Sequence, residues 1–251
     1  MTVKTSYAPG EPIWVDLGSP DLDASRRFYG ELFGWTAKEG NADFGGYTNF
    51  ERDGHLVAGL MPLMAPGQPP AWQCYVCSSD AAKTSELVEQ AGGTVIQGSM
   101  EVGDLGTMAV YTDSVGAFIG VWQPAQHLGA ELIDDEGTLT WIELSTPDLD
   151  GAKAFYDAVF GWGANVSDDY TEFQQAGSSV AGLMAPPPGA PDGMPPYWMP
   201  YFAAGDPGAQ ADKAASLGGT VLVPAREFPG GTFSVVQDPH GATFGLLRLN
   251  T

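Results

Sequence analysis

Two short apolar stretches carry an indole ring and a carboxylate two residues apart. Trp14 precedes Asp16 in the first stretch, and Trp141 precedes Glu143 in the second. Because successive side chains of a β-strand point to opposite faces, residues two apart share a face. A carboxylate is costly to bury alone. Each acid could therefore bind a ligand hydroxyl or amine, or act as a general base with a raised pKa.

The elements that position these residues belong to an internal repeat. Residues 14–35, WVDLGSPDLDASRRFYGELFGW, return without a gap as residues 141–162, WIELSTPDLDGAKAFYDAVFGW. Later segments return as well: YTNFERDGHLVAGLM becomes YTEFQQAGSSVAGLM, and AWQCYV becomes YWMPYF. Self-similarity of this length indicates a tandem duplication.

Each half predicts a strand, a helix and further strands, followed by a second set of the same kind. Alternating apolar residues and turn residues predict strands in the first half at 13–18, 45–51, 55–62, 71–77, 94–98, 107–112 and 117–122. Asp21 or Asp23 can cap the first helix, and Asp80 the second. The predicted organisation is a flexible tail at 1–10, a domain at 11–124, a linker at 125–138 and a domain at 139–251.

The composition limits the classes of partner. The chain has 251 residues, 31 acidic and 10 basic, with a net charge of −21. Such a charge repels phosphate backbones and anionic lipid, so we expect neither nucleic acid nor a membrane as partner. Two cysteines fit a reducing compartment. With no apolar run typical of a signal peptide or a membrane span, the sequence predicts a cytoplasmic protein.

The repeated motifs resemble the vicinal oxygen chelate superfamily, also called glyoxalase/bleomycin resistance/dioxygenase. The resemblance rests on PDLD-x-(A/S)-x-x-FY-x-x-(L/V)FGW, on the VAGLM strand and on the closing D-(P/S)-x-G-x-x-(F/I)-G strand. It covers nearly the whole chain, once per half, and is closest to tandem glyoxalase-like proteins of actinobacteria. It implies an α+β fold in which paired βαβββ modules form curled mixed sheets around a cup, with the helices outside.

The resemblance also implies a divalent metal in the cup, held by His, Gln or Glu side chains on three strands. The matching positions hold Trp14, Trp72 and Gly120 in the first half, and Trp141, Trp198 and Gly245 in the second. None of these residues offers a metal-binding atom, and the histidines are His55, His127 and His240, at other positions. We therefore predict that the protein has no metal and no cofactor.

Aromatic and methionine side chains are the predicted lining of the cups. Aromatic faces stack on flat ligands, and methionine adapts to irregular ones. The candidate ligand-binding residues are Trp14, Tyr47, Met61, Trp72, Tyr111, Trp122, Trp141, Tyr170, Met184 and Trp198. For the tryptophans the alternative is core packing. For Asp16 and Glu143, the candidate catalytic residues, the alternative is a structural carboxylate bonded to backbone N–H groups or to a tyrosine.

Three functions remain open from the sequence. The first is metal-independent binding of an aromatic or apolar small molecule, such as an antibiotic, for self-resistance or as a biosynthetic accessory. The second is a metal-free isomerase, lyase, hydrolase or hydroxylase-associated enzyme that uses Asp16 or Glu143 for proton transfer. The third is a metal-dependent glyoxalase or dioxygenase. The modules could pair within a half or across halves, in a monomer or a homodimer.

Overall fold

The computed structural model describes residues 3–38, 40, 44–167, 170–187, 189–191 and 193–250. The first half contains β1 (Pro12–Ser19), α1 (Leu22–Phe33), β2 (Thr36–Ala37), β3 (Thr48–Arg52), β4 (His55–Pro62), β5 (Ala71–Cys77), α2 (Ala81–Gln90), β6 (Thr94–Val102), β7 (Gly106–Thr112) and β8 (Phe118–Pro124). The second half contains β9 (Leu139–Ser145), α3 (Leu149–Phe160), β10 (Gly163–Val166), β11 (Thr171–Gln175), β12 (Ser178–Met184), β13 (Tyr197–Ala203), α4 (Pro207–Ser216), β14 (Thr220–Phe228), β15 (Gly231–Gln237) and β16 (Thr243–Leu249). The predicted α+β fold of tandem βαβββ modules is confirmed.

Each half forms one eight-stranded mixed sheet. The strand orders are β2-β3-β4-β1-β5-β8-β7-β6 and β10-β11-β12-β9-β13-β16-β15-β14. The two modules of a half join through an antiparallel pair, β1 with β5 in the first sheet and β9 with β13 in the second. The modules therefore pair within a half, which is one of the two arrangements that the sequence left open.

The PDLD motif fixes the start of the first helix in each half. The side chain of Asp21 accepts a hydrogen bond from the backbone N–H of Ala24 at 2.9 Å, and Asp148 caps α3 in the same way. Each helix ends at a glycine in the left-handed conformation, Gly34 with φ 75° and Gly161 with φ 69°. Of the two predicted caps, Asp21 is therefore the one used.

Among the described helices, none has both the length and the apolar character to cross a membrane.

A central core lies between the two halves and is shared by them. The ring of Phe33 on α1 lies 5.2 Å from that of Phe202 on β13, and Tyr29 lies 5.7 Å from Phe244 on β16. Trp35 joins the same cluster, with its ring 5.4 Å from Phe202. Aromatic side chains bury much apolar surface and prefer tilted or edge contacts of this kind. Packing of α1 therefore requires the second half.

Two hydrogen-bond relays cross this core. The indole N–H of Trp72 donates to the hydroxyl of Tyr29 at 3.1 Å, and that hydroxyl donates to Oδ2 of Asp238 at 3.1 Å. The repeat builds the same relay from Trp198, Tyr156 and Asp113, at 2.6 and 2.7 Å. Because buried polar groups need partners, the relays explain why polar aromatic residues occupy the core at these positions.

The segments outside the sheets are held by hydrogen bonds as well. The backbone N–H of Lys4 donates to the carbonyl of Glu131 at 2.8 Å. Trp162 donates its indole N–H to the carbonyl of Gly10 at 2.8 Å, and Trp35 does the same to Gly137. Since each sheet lies within one half, we keep 11–124 and 139–251 as proposed domain boundaries.

Candidate functional site

The face of the first sheet that points away from the central core holds a cluster that we call the first cup: Trp14, Asp16, Tyr47, Tyr75 and Trp122. The indole N–H of Trp14 donates to the hydroxyl of Tyr47 at 2.9 Å. Trp14 lies opposite Tyr75 in the β1–β5 pair, and Asp16 shares a hydrogen bond with Tyr75. Asp16 is 4% exposed. The predicted placement of Trp14 and Asp16 on one face is what the structure shows.

The matching face of the second sheet is the second cup: Trp141, Glu143, Tyr170, Tyr201 and Leu247. Trp141 donates its indole N–H to the hydroxyl of Tyr170 at 2.9 Å. Tyr170 in turn donates to Oε2 of Glu143 at 2.8 Å, and Tyr201 donates to Oε1 at 2.8 Å. Both oxygens of the carboxyl group are thus held by phenols. This geometry fits the structural alternative for Glu143 and also presents a fixed polar group to a ligand.

Glycines on neighbouring strands make room for the tyrosines. A β carbon at Gly182 would overlap the hydroxyl of Tyr170, and one at Gly245 would overlap the ring of Tyr201. The first cup repeats the arrangement with Gly120 beneath the ring of Tyr75. The position that the resemblance gives to a metal-binding Glu is therefore covered by a tyrosine ring in each half.

Tyr75 and Tyr201 also lie in the cups, although the sequence alone did not single them out as candidates. The signal was present, because AWQCYV and YWMPYF keep a tyrosine at the same place. On β5, Gln73, Tyr75 and Cys77 share one face, whereas Trp72 faces the core.

Three of the predicted ligand-binding residues lie outside both cups. Trp72 and Trp198 pack in the central core, 6% and 5% exposed, because they alternate with the cup-facing positions of β5 and β13. Tyr111 is also buried in that core, and its hydroxyl bonds Ser85 at 3.0 Å. We therefore remove these three from the candidate ligand set. Trp14, Tyr47 and Trp122 lie in the first cup, and Trp141 and Tyr170 in the second. Met61 and Met184 stay candidates, because each lies two residues after a glycine that packs against a cup tyrosine, Gly59 against Tyr47 and Gly182 against Tyr170.

Burial shifts the acid–base behaviour of both carboxyl groups. It raises the pKa of Asp16 to about 7, although the bond from Tyr75 acts in the opposite direction. Burial also raises the pKa of Glu143, against the lowering effect of the bonds from Tyr170 and Tyr201. A carboxyl group with a pKa near 7 can hold or release a proton under ordinary conditions, which is what proton transfer requires.

The raised pKa of Asp16 makes stability depend on pH. The folded state keeps a proton that the unfolded state has lost, so this group lowers stability as pH rises from about 4 to about 7, by about 4 kcal/mol in all. Burial lowers the pKa of His127 from 6.5 to about 4. Between these pH values His127 therefore makes the unfolding free energy rise with pH, which is opposite to the effect of Asp16. Comparison of Asp16→Asn with the unsubstituted chain isolates Asp16, since His127 is present in both.

We expect Asp16→Asn to remove this fall in the unfolding free energy, measured by denaturant titration at several pH values. Asp157→Asn, at an exposed position, is the control for loss of one carboxylate. Equal pH slopes for Asp16→Asn and the unsubstituted chain would contradict the buried, protonated carboxyl group.

The donors present do not fit the three-ligand metal centre that the resemblance implies. Within the described ranges, no group of three or more His, Cys, Asp or Glu side chains is placed to hold a metal ion. Asp16 and Glu143 each stand among phenols and indoles rather than beside further ligands. We therefore derive no chemical step through a metal.

The linker covers the first cup. The ring of His127 lies edge-on to Trp14 at 4.6 Å, and Trp122 donates its indole N–H to the carbonyl of His127 at 2.8 Å. Tyr7 and Ala130, both outside the sheet, join the same apolar cluster. Trp14 is consequently 4% exposed, and the first cup is closed to a large ligand.

The second cup is more open. Its apolar cluster consists, as far as the structure describes the chain, of residues of the second sheet alone. Trp141 and Tyr170 are half-buried, and Leu247 stands where the first cup has the larger Trp122. A cavity of about 160 Å³ reaches Trp141 beside the ion pair of Lys4 and Glu11. Of the two cups, the second can therefore admit a ligand with the smaller rearrangement.

Comparison with known proteins identifies the family. The model of the Glyoxalase/Bleomycin resistance protein/Dioxygenase superfamily matches residues 138–246. A protein of Mycobacterium tuberculosis named "Putative glyoxylase CFP32" is 37% identical over 99% of this chain and 98% of its own length. The chain belongs to the Glyoxalase/Bleomycin resistance protein/Dioxygenase superfamily.

A further relative agrees with this membership, and solved structures share the fold. The Anthracycline biosynthesis protein DnrV of Streptomyces peucetius is 37% identical, over 98% of this chain and 95% of its own. The Mn(II)-bound glyoxalase from Novosphingobium aromaticivorans matches with a TM-score of 0.67 at 17% identity, over 95% of this chain and 82% of its own. The 2,3-dioxygenase LapB from Pseudomonas sp. KL28 matches with a TM-score of 0.66 at 13% identity, over 96% of this chain and 93% of its own. At such identities the structural matches establish the fold alone.

Proposed function

We propose that this protein binds a flat, largely apolar small molecule in its second cup without a metal ion. It would act as an accessory or sequestering protein of secondary metabolism. The observation that carries the proposal is the fixed row of Trp141, Tyr170, Glu143 and Tyr201, continuous in hydrogen bonds and open beside Trp141. In the first cup the matching Trp14 is covered by the linker.

The chemistry of the row suits an aromatic ligand with polar substituents. The half-buried indole of Trp141 offers a face for offset stacking, and Met184 is able to adapt to the ligand's outline. The two phenols and the carboxyl group can exchange hydrogen bonds with a hydroxyl or amine of the ligand. The net charge of −21 favours a ligand with a cationic group through long-range attraction.

The name of the Streptomyces relative supports this ligand class. The name of DnrV connects it to anthracycline biosynthesis, and a similar role here would require a site for a flat ring system. The second cup has the residue types for such a site.

The second candidate function is a metal-free enzyme of acid–base chemistry. It is favoured by the raised pKa of Glu143, whose carboxyl group bonds the half-buried Tyr170 of the second cup. It also agrees with the name glyoxylase carried by the mycobacterial relative. Glu143→Gln separates the two functions: a binding protein still binds its ligand, because the stacking face of Trp141 is unchanged and the amide oxygen still accepts one of the two phenol bonds, whereas an enzyme loses its turnover.

The proposal is tested by tryptophan fluorescence titration with EDTA present. The probes are a dihydroxyanthraquinone and a panel of other flat natural products. We expect saturable quenching by at least one probe, and the same affinity after Zn²⁺, Mn²⁺ or Fe²⁺ replaces EDTA. Absence of binding in EDTA, with binding or activity restored by a divalent ion, would overturn the metal-independent account and favour a metal-dependent glyoxalase or dioxygenase.

A further inference from the structure

A second cavity, remote from both cups, lies at the seam between the two halves. Its volume is about 330 Å³, which is within the range of small-molecule pockets. It is lined by the end of α1, by α4 and by parts of β3 and the linker. We propose that this seam cavity, defined by Arg52, Gly137, Gln210 and Lys213, binds a small monoanionic carboxylate.

Arg52 supplies the main argument. Its side chain is 24% exposed, and its nearest recorded carboxylate is that of Asp53, 3.8 Å from Nε. The Nη1 atom is buried and has no hydrogen-bond partner in the structure. A guanidinium group that lines a cavity, and whose only ion pair among the described residues is as long as 3.8 Å, calls for a closer acceptor. A carboxylate matches its planar geometry best.

A second cation and two acids set the charge of the ligand. Lys213 donates from Nζ to the carbonyl of Leu32 at 3.1 Å, which holds its ammonium group at the cavity with further donors to spare. Glu31 and Glu136 line the same cavity at exposed positions. Because these two acids oppose a multiply charged anion, a single carboxylate group fits better than phosphate or a tricarboxylate.

The repeat provides an internal comparison for this site. Trp35 donates to the carbonyl of Gly137 at this seam, and Trp162 donates to that of Gly10 at the equivalent one, both at 2.8 Å. At the equivalent seam Gln175 replaces Arg52, and its amide donates to the carbonyl of Pro9 at 2.9 Å.

Lys213 likewise corresponds to Leu87 of the first half. These two positions thus hold no cation in one copy and two in the other. In a chain with 10 basic and 31 acidic residues, this difference points to a ligand rather than to the needs of packing.

The experiment is an NMR titration that follows the indole N–H signals of Trp35 and Trp162. Benzoate is the probe, and neutral benzyl alcohol of similar shape is its control. We expect benzoate to shift the Trp35 signal saturably while the Trp162 signal stays in place, and benzyl alcohol to shift neither. Equal shifts of both signals, or equal responses to the two probes, would overturn the proposal.

Substitution of the two cations provides the second arm. Arg52→Gln, which copies the other seam, should weaken benzoate binding at least tenfold, because a charge-assisted bond is lost. Lys213→Leu, on an exposed part of α4, should weaken benzoate binding severalfold. It tests the site independently if Arg52→Gln fails to fold. Arg27→Gln, an exposed change of equal charge, should have no effect. Retained affinity in both Arg52→Gln and Lys213→Leu would exclude the site.

Discussion

Trp141→Ala is expected to lower the affinity for the flat probe about 30-fold, whereas Trp14→Ala leaves it within about twofold. Loss of a central aromatic contact in a binding site costs about 2 kcal/mol or more, which corresponds to that factor. Trp14 makes the equivalent bond to Tyr47 but lies under His127 and the linker. The measurement is the dissociation constant of each variant from fluorescence titration in EDTA.

Trp14→Ala is the matched control for Trp141→Ala, because each variant removes one indole and one hydrogen bond to a tyrosine hydroxyl. Trp141→Phe, which keeps an aromatic face but loses the indole donor, should fall between Trp141→Ala and the unsubstituted chain. A loss in Trp14→Ala as large as that in Trp141→Ala would place the ligand in the first cup. The linker would then have to open.

Trp198→Ala is expected to reduce the unfolding free energy by about 3–5 kcal/mol, the usual cost of removing a large buried aromatic side chain. Trp198 is 5% exposed in the shared core and donates to Tyr156, which donates to Asp113 in the first half. Trp198→Phe keeps most of the packing but leaves the relay without its donor, so a loss of about 1–3 kcal/mol is expected. Denaturant titration measures both.

Unfolding free energies and ligand affinities together distinguish a core tryptophan from a cup tryptophan. Trp141→Ala removes a half-buried indole and should cost clearly less than Trp198→Ala. The ligand affinity of Trp198→Phe should stay close to that of the unsubstituted chain. If Trp198→Phe were as stable as the unsubstituted chain but bound the probe poorly, Trp198 would belong to the ligand set after all.

Much of the fold followed from the sequence because the repeat reports each element twice. The PDLD and FGW motifs predicted where α1 and α3 begin and end, and the structure confirms the capping by Asp21 and Asp148. The short strand β2 was missed, because two residues carry no periodicity. The pairing of modules stayed open in the sequence because strands pair through backbone groups at their edges, and the side-chain pattern of β1 does not say which strand lies at its edge.

The site was less accessible to sequence reasoning. Alternation along β5 and β13 assigns Trp72 and Trp198 to one face of each strand but does not say which face points to the cup. In the structure that face points to the central core. The tyrosine rings over Gly120 and Gly245 depend on contacts between neighbouring strands that no spacing reveals. The cover over the first cup comes from His127, in a linker whose composition gave no sign of packing.

The most direct test of the account is to locate the ligand with NMR, by the indole N–H signals of Trp14 and Trp141 in the presence of EDTA. Both indoles donate to a tyrosine hydroxyl at 2.9 Å, so each signal is sensitive to a ligand in its own cup. Metal-independent binding in the second cup predicts that the dihydroxyanthraquinone shifts the Trp141 signal saturably and leaves that of Trp14 unchanged. A shift of Trp14 alone, or no shift of either signal until a divalent metal ion is added, would contradict it.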